Sequence, residues 1–367
     1  MESTPRPLST DPGLQVINAV YEKLNIAAKW TVWEDRGFTW WGGFRAQRVW
    51  SEQGVEDDGV TVYRLHARTD LYAGFAETDD QYAIVDILGT MATLNGIIRN
   101  QEHGDQLQVA ASVFVHAENV PWAYRLFSLA VAMQSVEVKG TFGRVGLEFG
   151  LEPALSAHPQ SGIRHDGDRV VNVIPEILDK GQGTSSYAGP ELEHARKMLD
   201  RPPRVLCTGD SSGFAIEFPF PEHTSLLRYE TQKPHCVYGA GLAAQLTLPI
   251  GNAEHETRKQ ALEFNQAEIS EMTGANFVGS WCATEQGLSF VSFFPNLMHA
   301  TDVTPNIVMN QVIRANWITR SRWNFSWDDN FKQSSESKLA MIAMISQPPK
   351  KTFWRKLFDR GDKSQPS

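Results

Sequence analysis

The sequence predicts an α+β protein built from two copies of an (α)βββ-α-ββ-α unit, each an antiparallel sheet with helices packed on one face. Three observations predict it. The first is an internal repeat. Leu94-Asn95-Gly96-Ile97-Ile98-Arg99-Asn100-Gln101-Glu102-His103-Gly104 recurs 183 positions later as Phe277-Val278-Gly279-Ser280-Trp281-Cys282-Ala283-Thr284-Glu285-Gln286-Gly287, with Gly96 on Gly279, Glu102 on Glu285 and Gly104 on Gly287. At the same offset His116-Ala117-Glu118-Asn119-Val120 falls on His299-Ala300-Thr301-Asp302-Val303. The second is periodicity: helical and strand-like segments follow one another in the same order around both copies. The third is size: 367 residues, of which 41% are apolar and 21% charged, suit about two ordinary folded domains and rule out wholesale disorder.

The elements follow in order. Leu14 to Lys29 carries Val16, Ile17, Val20, Leu24 and Ile26 on one stripe and predicts a helix. Phe38 to Phe44, Arg45 to Ser51 and Val60 to Arg68 read as three strands, with Glu56-Asp57-Asp58-Gly59 as the clearest turn signal. Asp79 to Ala92 is helical, with Ile84, Val85, Ile87, Leu88 and Met91 at helical spacing. A tight turn is expected at Glu102-His103-Gly104, its glycine supplying a positive φ, before the β-forming run Leu107 to Val115. Asn119 is placed as an N-cap, Pro121 as a first-turn proline, and Trp122 to Gln134 as a helix. The second copy reads the same way. It has strands at Phe214 to Phe220, Leu226 to Thr231 and Gly241 to Leu248, then a helix at Glu254 to Thr273. A turn at Glu285-Gln286-Gly287, a strand at Leu288 to Phe294 and a helix at Asn306 to Ile318 complete it. The expected organisation is a disordered N-terminus over 1–13, a first unit over 14–150 and a linker over 151–203. A second unit follows over 204–330, then a C-terminal helix and tail over 331–367. Within the Gly-, Pro- and Ser-rich linker one short helix is expected, Pro190 to Leu199.

Composition narrows the function. The formal net charge is −9, which argues against nucleic acid as the main partner. No stretch reaches the length of a membrane span, and the polar start, with Pro5, Pro7 and Pro12, lacks the apolar core of a signal peptide. Three cysteines, Cys207, Cys236 and Cys282, are too few for a disulfide framework, so a reduced, cytoplasmic protein is expected. Metal-ligand spacings and dinucleotide fingerprints are absent; no metal and no cofactor are expected. His158, His165 and His194, with Asp166 and Asp168, are scattered and read as solvated. Lys180-Gly181-Gln182-Gly183-Thr184-Ser185 lacks the order of a phosphate loop.

Gly209-Asp210-Ser211-Ser212-Gly213 matches the serine-nucleophile pattern, but the strand-like Phe214 to Phe220 follows it where an elbow needs a helix, so a turn is the expected reading. His116 and His299 read as backbone-bonding residues at strand-to-helix junctions, against equivalent acid-base positions. The aromatic run Trp30, Trp33, Phe38, Trp40, Trp41 and Phe44 is either core packing or a partner-facing platform; Trp33, Trp40 and Trp41 are its candidate binding residues. The tail after Pro348-Pro349 would, as a helix, place Phe353, Trp354, Leu357 and Phe358 on one face and Lys350, Lys351, Arg355 and Lys356 around it. That pattern suits a docking peptide or weak membrane-surface contact. Residues 350–360 carry net +4, which leaves −13 on the rest.

In topology and unit size, residues 14–138 and 205–323 resemble the type III secretion chaperone-like fold, the superfamily of the YbjN-like proteins. The resemblance implies a dimer-like protein without catalytic residues that binds segments of partner proteins; a tandem copy looks like a built-in pseudo-dimer. The expected function is therefore non-enzymatic protein binding, chaperone- or adaptor-like, through a sheet or groove surface. The alternatives are a serine hydrolase using Ser211 and a peripheral membrane protein held by its tail at the inner face of the membrane.

Overall fold

The computed structural model describes residues 10–57, 59–100, 102–177, 213–220, 223–231, 233–251, 255–271, 274–295, 310–311, 313–315 and 317–318. Helix α1 (Pro12–Lys23) starts on Asp11, whose Oδ1 accepts from Leu14 N at 3.0 Å, and buries Val16, Ile17 and Val20. It ends six residues before the expected boundary because Asn25 takes φ 48°, which breaks the helix. A 3-10 turn, Ala28–Trp30, leads into β1 (Thr31–Glu34), a strand the sequence reading missed.

Strands β2 (Gly37–Trp41), β3 (Ala46–Ser51) and β5 (Val60–Ala73) occupy the three expected runs. A short β4 (Val55–Asp57) forms a hairpin with β5, closed by Asp57 opposite Val60, and Gly59 at φ 76° makes the turn. Helix α2 (Asp79–Thr90) begins on Thr78, whose hydroxyl caps Gln81 N. After β6 (Gly96–Arg99) and β7 (Leu107–Val115), helix α3 (Val120–Lys139) runs five residues beyond the expected end, to Gly140.

The sheet order is β1-β2-β3-β5-β7-β6, all pairs antiparallel. Alternation along the strands sends Phe38, Trp40, Val49, Leu65, Ala67, Val113 and Val115 into the core that α1 and α3 cover. Each such side chain contributes roughly 1.5–3 kcal/mol by leaving water.

The expected linker is folded in its first half. Helix α4 (Thr141–Glu148) and β8 (Glu152–Pro153), which pairs with β5, are followed by a loop and α5 (Arg169–Ile177), packed on α3. The expected helix over 190–199 lies outside the described residues.

The second half contains β9 (Gly213–Phe220), β10 (His223–Glu230), β11 (Gly241–Leu248), α6 (His255–Ser270), β12 (Ser280–Thr284) and β13 (Gly287–Pro295). Helical residues at 310–311, 313–315 and 317–318 follow. Its sheet runs β12-β13-β11-β10-β9, the same succession as β6-β7-β5-β3-β2 in the first half.

The residue-by-residue correspondence expected between the two hairpins, however, does not hold. Ile97 pairs with Val109, whereas Ser280, its counterpart at the constant offset, pairs with Val291, the counterpart of Gln108. The two hairpins thus differ by one residue in register, which exchanges the faces of the strand. Their loops differ too. Residues 285–286 make a two-residue turn before Gly287 at φ 122°, while the other hairpin ends with Arg99 opposite Leu107. There the Asn100 side chain accepts from Glu102 N and His103 N, and Gly104 has no positive φ, contrary to expectation.

The halves pack reciprocally: α2 lies on β12, and α6 lies on β6 and β7 as well as on its own β12. Phe277 O accepts from Ser112 N, and Thr93 O accepts from Phe293 N. One core cluster contains Ile98, Leu126 and Phe127 together with Phe264, Phe277 and Phe290.

Candidate functional site

The same alternation that fills the core of the first sheet sends a second set of side chains to its outer face. Directly opposed residues on neighbouring strands share a face. Across the sheet, Val32 opposes Thr39, Thr39 opposes Arg48, and Arg48 opposes Arg68. Beside them Trp50 opposes His66, which opposes Ser112. Helix α6 of the second half covers this face at β6 and β7. Arg99 N donates to Gln266 Oε1 at 3.2 Å, and Arg64 donates to the Glu268 carbonyl and, at 2.9 Å, to Ser112 Oγ. The part over β2, β3 and the middle of β5 is left with Arg48, Trp50 and Arg68 partly or largely exposed.

The geometry there is tight. His66 stacks on Trp50 with centroids 4.8 Å apart and an interplanar angle of 20°. Arg48 Cζ lies 4.9 Å and Arg68 Cζ 5.3 Å from the Trp50 ring, so two guanidiniums share one indole. Arg48 also pairs with Glu34 at 2.7 Å. The His66 side chain is 1% exposed, and its Nε2 meets Glu52 Oε1 at 2.8 Å. Burial pulls the imidazole down to about 4, against the opposing pull of Glu52, while the bond to His66 holds Glu52 below the usual carboxylate range. At neutral pH the contact is therefore a neutral N–H donating to a carboxylate. Burial also lowers Arg64 and Arg68. Arg68 Nε, His66 Nδ1 and Gln108 Oε1 are buried without a hydrogen-bond partner among the described residues. Nothing among the described residues of this cluster pairs a nucleophile with a base.

The sequence-predicted residues fall elsewhere. Trp40 and Trp41 are 0% and 5% exposed, with indole N–H groups donating to Asp168 Oδ2 (3.2 Å) and Ser156 Oγ (3.3 Å). They pack as core, and the partner-facing expectation for them is corrected. Their acceptors lie in the segment read as linker, where His158 stacks edge-on against Trp41 and Arg164 pairs with Asp168 at 3.0 Å. His158 and Asp168 are buried, not solvated. Trp33 is half-buried against Tyr21 and Phe38. His116 lies at its strand-to-helix junction, with Nδ1 accepting from Glu118 N at 3.4 Å. Asn119 stands at the N-cap position, but its side chain turns back to His116 N and the Phe114 carbonyl. Ser211, His299, Phe353, Trp354, Leu357, Phe358, Lys350, Lys351, Arg355 and Lys356 lie outside the described residues, as does the glycine-rich stretch at 180–185.

The outer-face cluster did have a sequence signal: Arg48-x-Trp50-x-Glu52 and Arg64-x-His66-x-Arg68 are period-two runs on two predicted strands. Among the described residues no group of three or more His, Cys, Asp or Glu side chains could hold a metal ion, and no helix is long and apolar enough to cross a membrane. Comparison with family models, with curated proteins and with solved structures finds no match.

Proposed function

We propose that the chain is a non-enzymatic, chaperone- or adaptor-like binding protein, in which two related halves packed as a pseudo-dimer present a sheet face to a partner protein. The observation that carries this reading is the uncovered part of the first sheet, where Arg48, Trp50 and Arg68 stand together beside the cover supplied by α6. Trp and Arg are the residue types that dominate protein interfaces. The shared strand order of the two sheets supports descent from one duplicated unit. So does the contact between the two repeated glycines: a Cβ on Gly96 would sit 2.6 Å from the Gly279 carbonyl oxygen. The tail, with Phe353, Trp354, Leu357 and Phe358 and its basic residues, adds a second contact, to the same partner or weakly to a membrane surface.

Affinity purification of the full chain from its native host, with mass spectrometry, tests the reading. A stoichiometric protein partner that Trp50→Ala releases supports it. Ser211-dependent ester hydrolysis, measured with Ser211→Ala as the control, would overturn it in favour of a hydrolase. Equal co-sedimentation with liposomes of chains with and without residues 348–367 would remove the membrane contact.

A further inference from the structure

Each sheet ends on a strand whose outer backbone groups would otherwise meet water or another chain, β6 in the first half and β12 in the second. Both edges are closed in the same way, by a helix of the opposite half. Arg99, the last residue of β6, donates its backbone N–H to Gln266 Oε1 on α6 at 3.2 Å. Ala283, at the same fourth position of β12, donates its backbone N–H to Asp86 Oδ1 on α2. The acceptors differ. Gln266 brings a neutral amide, whereas Asp86 brings a carboxyl group that titrates. Helix α2 sits close on β12: a Cβ on Gly89 would lie 3.3 Å from the Trp281 carbonyl oxygen and 3.4 Å from Cys282 Cβ. Asp86 is thereby half-buried, next to a Cys282 that is fully buried.

The charged surroundings do little to settle a carboxylate there. On α6, Arg258 attracts it but keeps its Nε buried with no partner among the described residues, and His255 pairs with Asp79 at 2.7 Å. Glu256, Lys259 and Glu263 of α6 and Asp80 of α2 are partly or largely exposed. On β12, burial holds the Cys282 thiol protonated. Helix α4 brings Arg144 and Glu148, both exposed, and β6 brings Arg99, which pairs with Glu77. Burial outweighs the Ala283 bond and the pull of Arg258, and holds the Asp86 carboxyl up from 3.8 to about 6. We propose that Asp86 is a proton-operated latch between the halves: protonated, it seats α2 on β12, and on losing its proton it loosens that contact and uncovers the β12 edge, while Gln266 keeps β6 covered at either pH. The protonated acid still accepts from Ala283 N through its carbonyl oxygen. The proton is bound more tightly with α2 seated than with α2 lifted into water. Its contribution to the contact is therefore complete below 3.8 and is lost as pH rises through about 6.

The test is hydrogen exchange of the full chain, with rates corrected for the intrinsic effect of pH. The amides of Ala283 and Arg99 are read in the same molecule, so the β6 edge serves as the reference for the β12 edge. Between about pH 5 and about pH 7.5 the ratio of Ala283 to Arg99 exchange should rise about tenfold, as proton linkage between 3.8 and 6 requires over that range. Asp86→Asn, an uncharged acceptor of the same shape, should hold the ratio constant. Arg258→Met, which removes the attraction, should move the rise to higher pH, and gives a second reading if Asp86→Asn does not fold. A wild-type ratio that stays constant because both amides change together would place the titration in the fold as a whole and overturn the latch. A rise that persists in Asp86→Asn, or one that Arg258→Met leaves at the same pH, overturns it as well.

Discussion

At the scale of single residues, two buried acids set the terms. Glu268 and Arg314 are both 0% exposed and joined at 2.7 Å, with Trp281 Nε1 donating to the same carboxylate and Arg314 Cζ lying 3.5 Å from the Phe290 ring. Neither charge has access to water, so each depends on the other. Arg314→Met should cost about 3–5 kcal/mol by leaving a buried carboxylate unpaired, whereas Arg314→Met with Glu268→Leu should recover much of it. Denaturant unfolding of the three variants checks this, and a double variant no more stable than the single one would refute it.

Glu137 behaves differently. It is fully buried on α3 and accepts from Thr93 N, Thr93 Oγ1 and Asn95 Nδ2, yet burial raises its carboxyl from 4.5 to about 7. The folded state therefore binds this proton more tightly than the unfolded one. The related stability is complete below the unfolded value of 4.5 and is lost as pH rises toward 7. His66, held down near 4, works in the opposite direction, since its stability falls as pH drops from 6.5 through 4. Comparing wild type with Glu137→Gln isolates the first effect. The wild type's advantage should shrink between pH 4.5 and 7 by an amount on the order of 3 kcal/mol, at about 1.4 kcal/mol per unit, and stay constant above it. Melting curves across that range measure it, and parallel curves would exclude the assignment.

At the scale of elements, what was legible in the sequence depended on whether one strand face was enough to define the element. Strand β11 lies where the sequence placed it, Gly241–Leu248, because alternating apolar residues between glycines admit one register. Strand β1 was missed: Thr31–Glu34 is four residues long and gains its place only by pairing with β2. The outer-face cluster was missed for a related reason. Arg64, His66 and Arg68 alternate with Leu65 and Ala67, as the wet side of a sheet does, and the burial of Arg64 involves a distant helix that crosses it, while His66 lies under the Trp50 ring. The repeated glycines were legible as a pattern but not as a contact. A Cβ on Gly96 would come within 2.3 Å of the Phe277 ring as well as meeting Gly279 O, so β6 and the segment before β12 approach as only glycine allows. Gly96→Ala should therefore destabilise by about 1–3 kcal/mol through overpacking, more than alanine in an open strand would. It should also raise the proteolytic sensitivity of the contact between the halves. A melting temperature unchanged from wild type would place the close approach elsewhere.

At the scale of the molecule, the two halves do not behave as beads on a linker. Phe264, Phe277 and Phe290 from the second half sit in one cluster with Ile98, Leu126 and Phe127 from the first, and α2 and α6 each lie on a strand of the opposite half. Cutting the chain would expose those aromatic rings and the backbone donors of Ser112 and Phe293, whose acceptors lie across the contact. An interface of this kind resembles a domain core cut in two, so neither half should reach a native state alone. The break falls in 178–212, where a nick removes no described contact. Residues 1–177 and 204–367, produced separately, should each bind a hydrophobic dye and unfold without a cooperative transition. Mixed, they should form a one-to-one complex that melts cooperatively. The Arg48–Arg68 face belongs to the first half, but its boundary is drawn by α6, through the Glu268 carbonyl and the Gln266 side chain. A first half that melts cooperatively by itself would separate the Arg48–Arg68 face from the second half and leave α6 with no part in its stability.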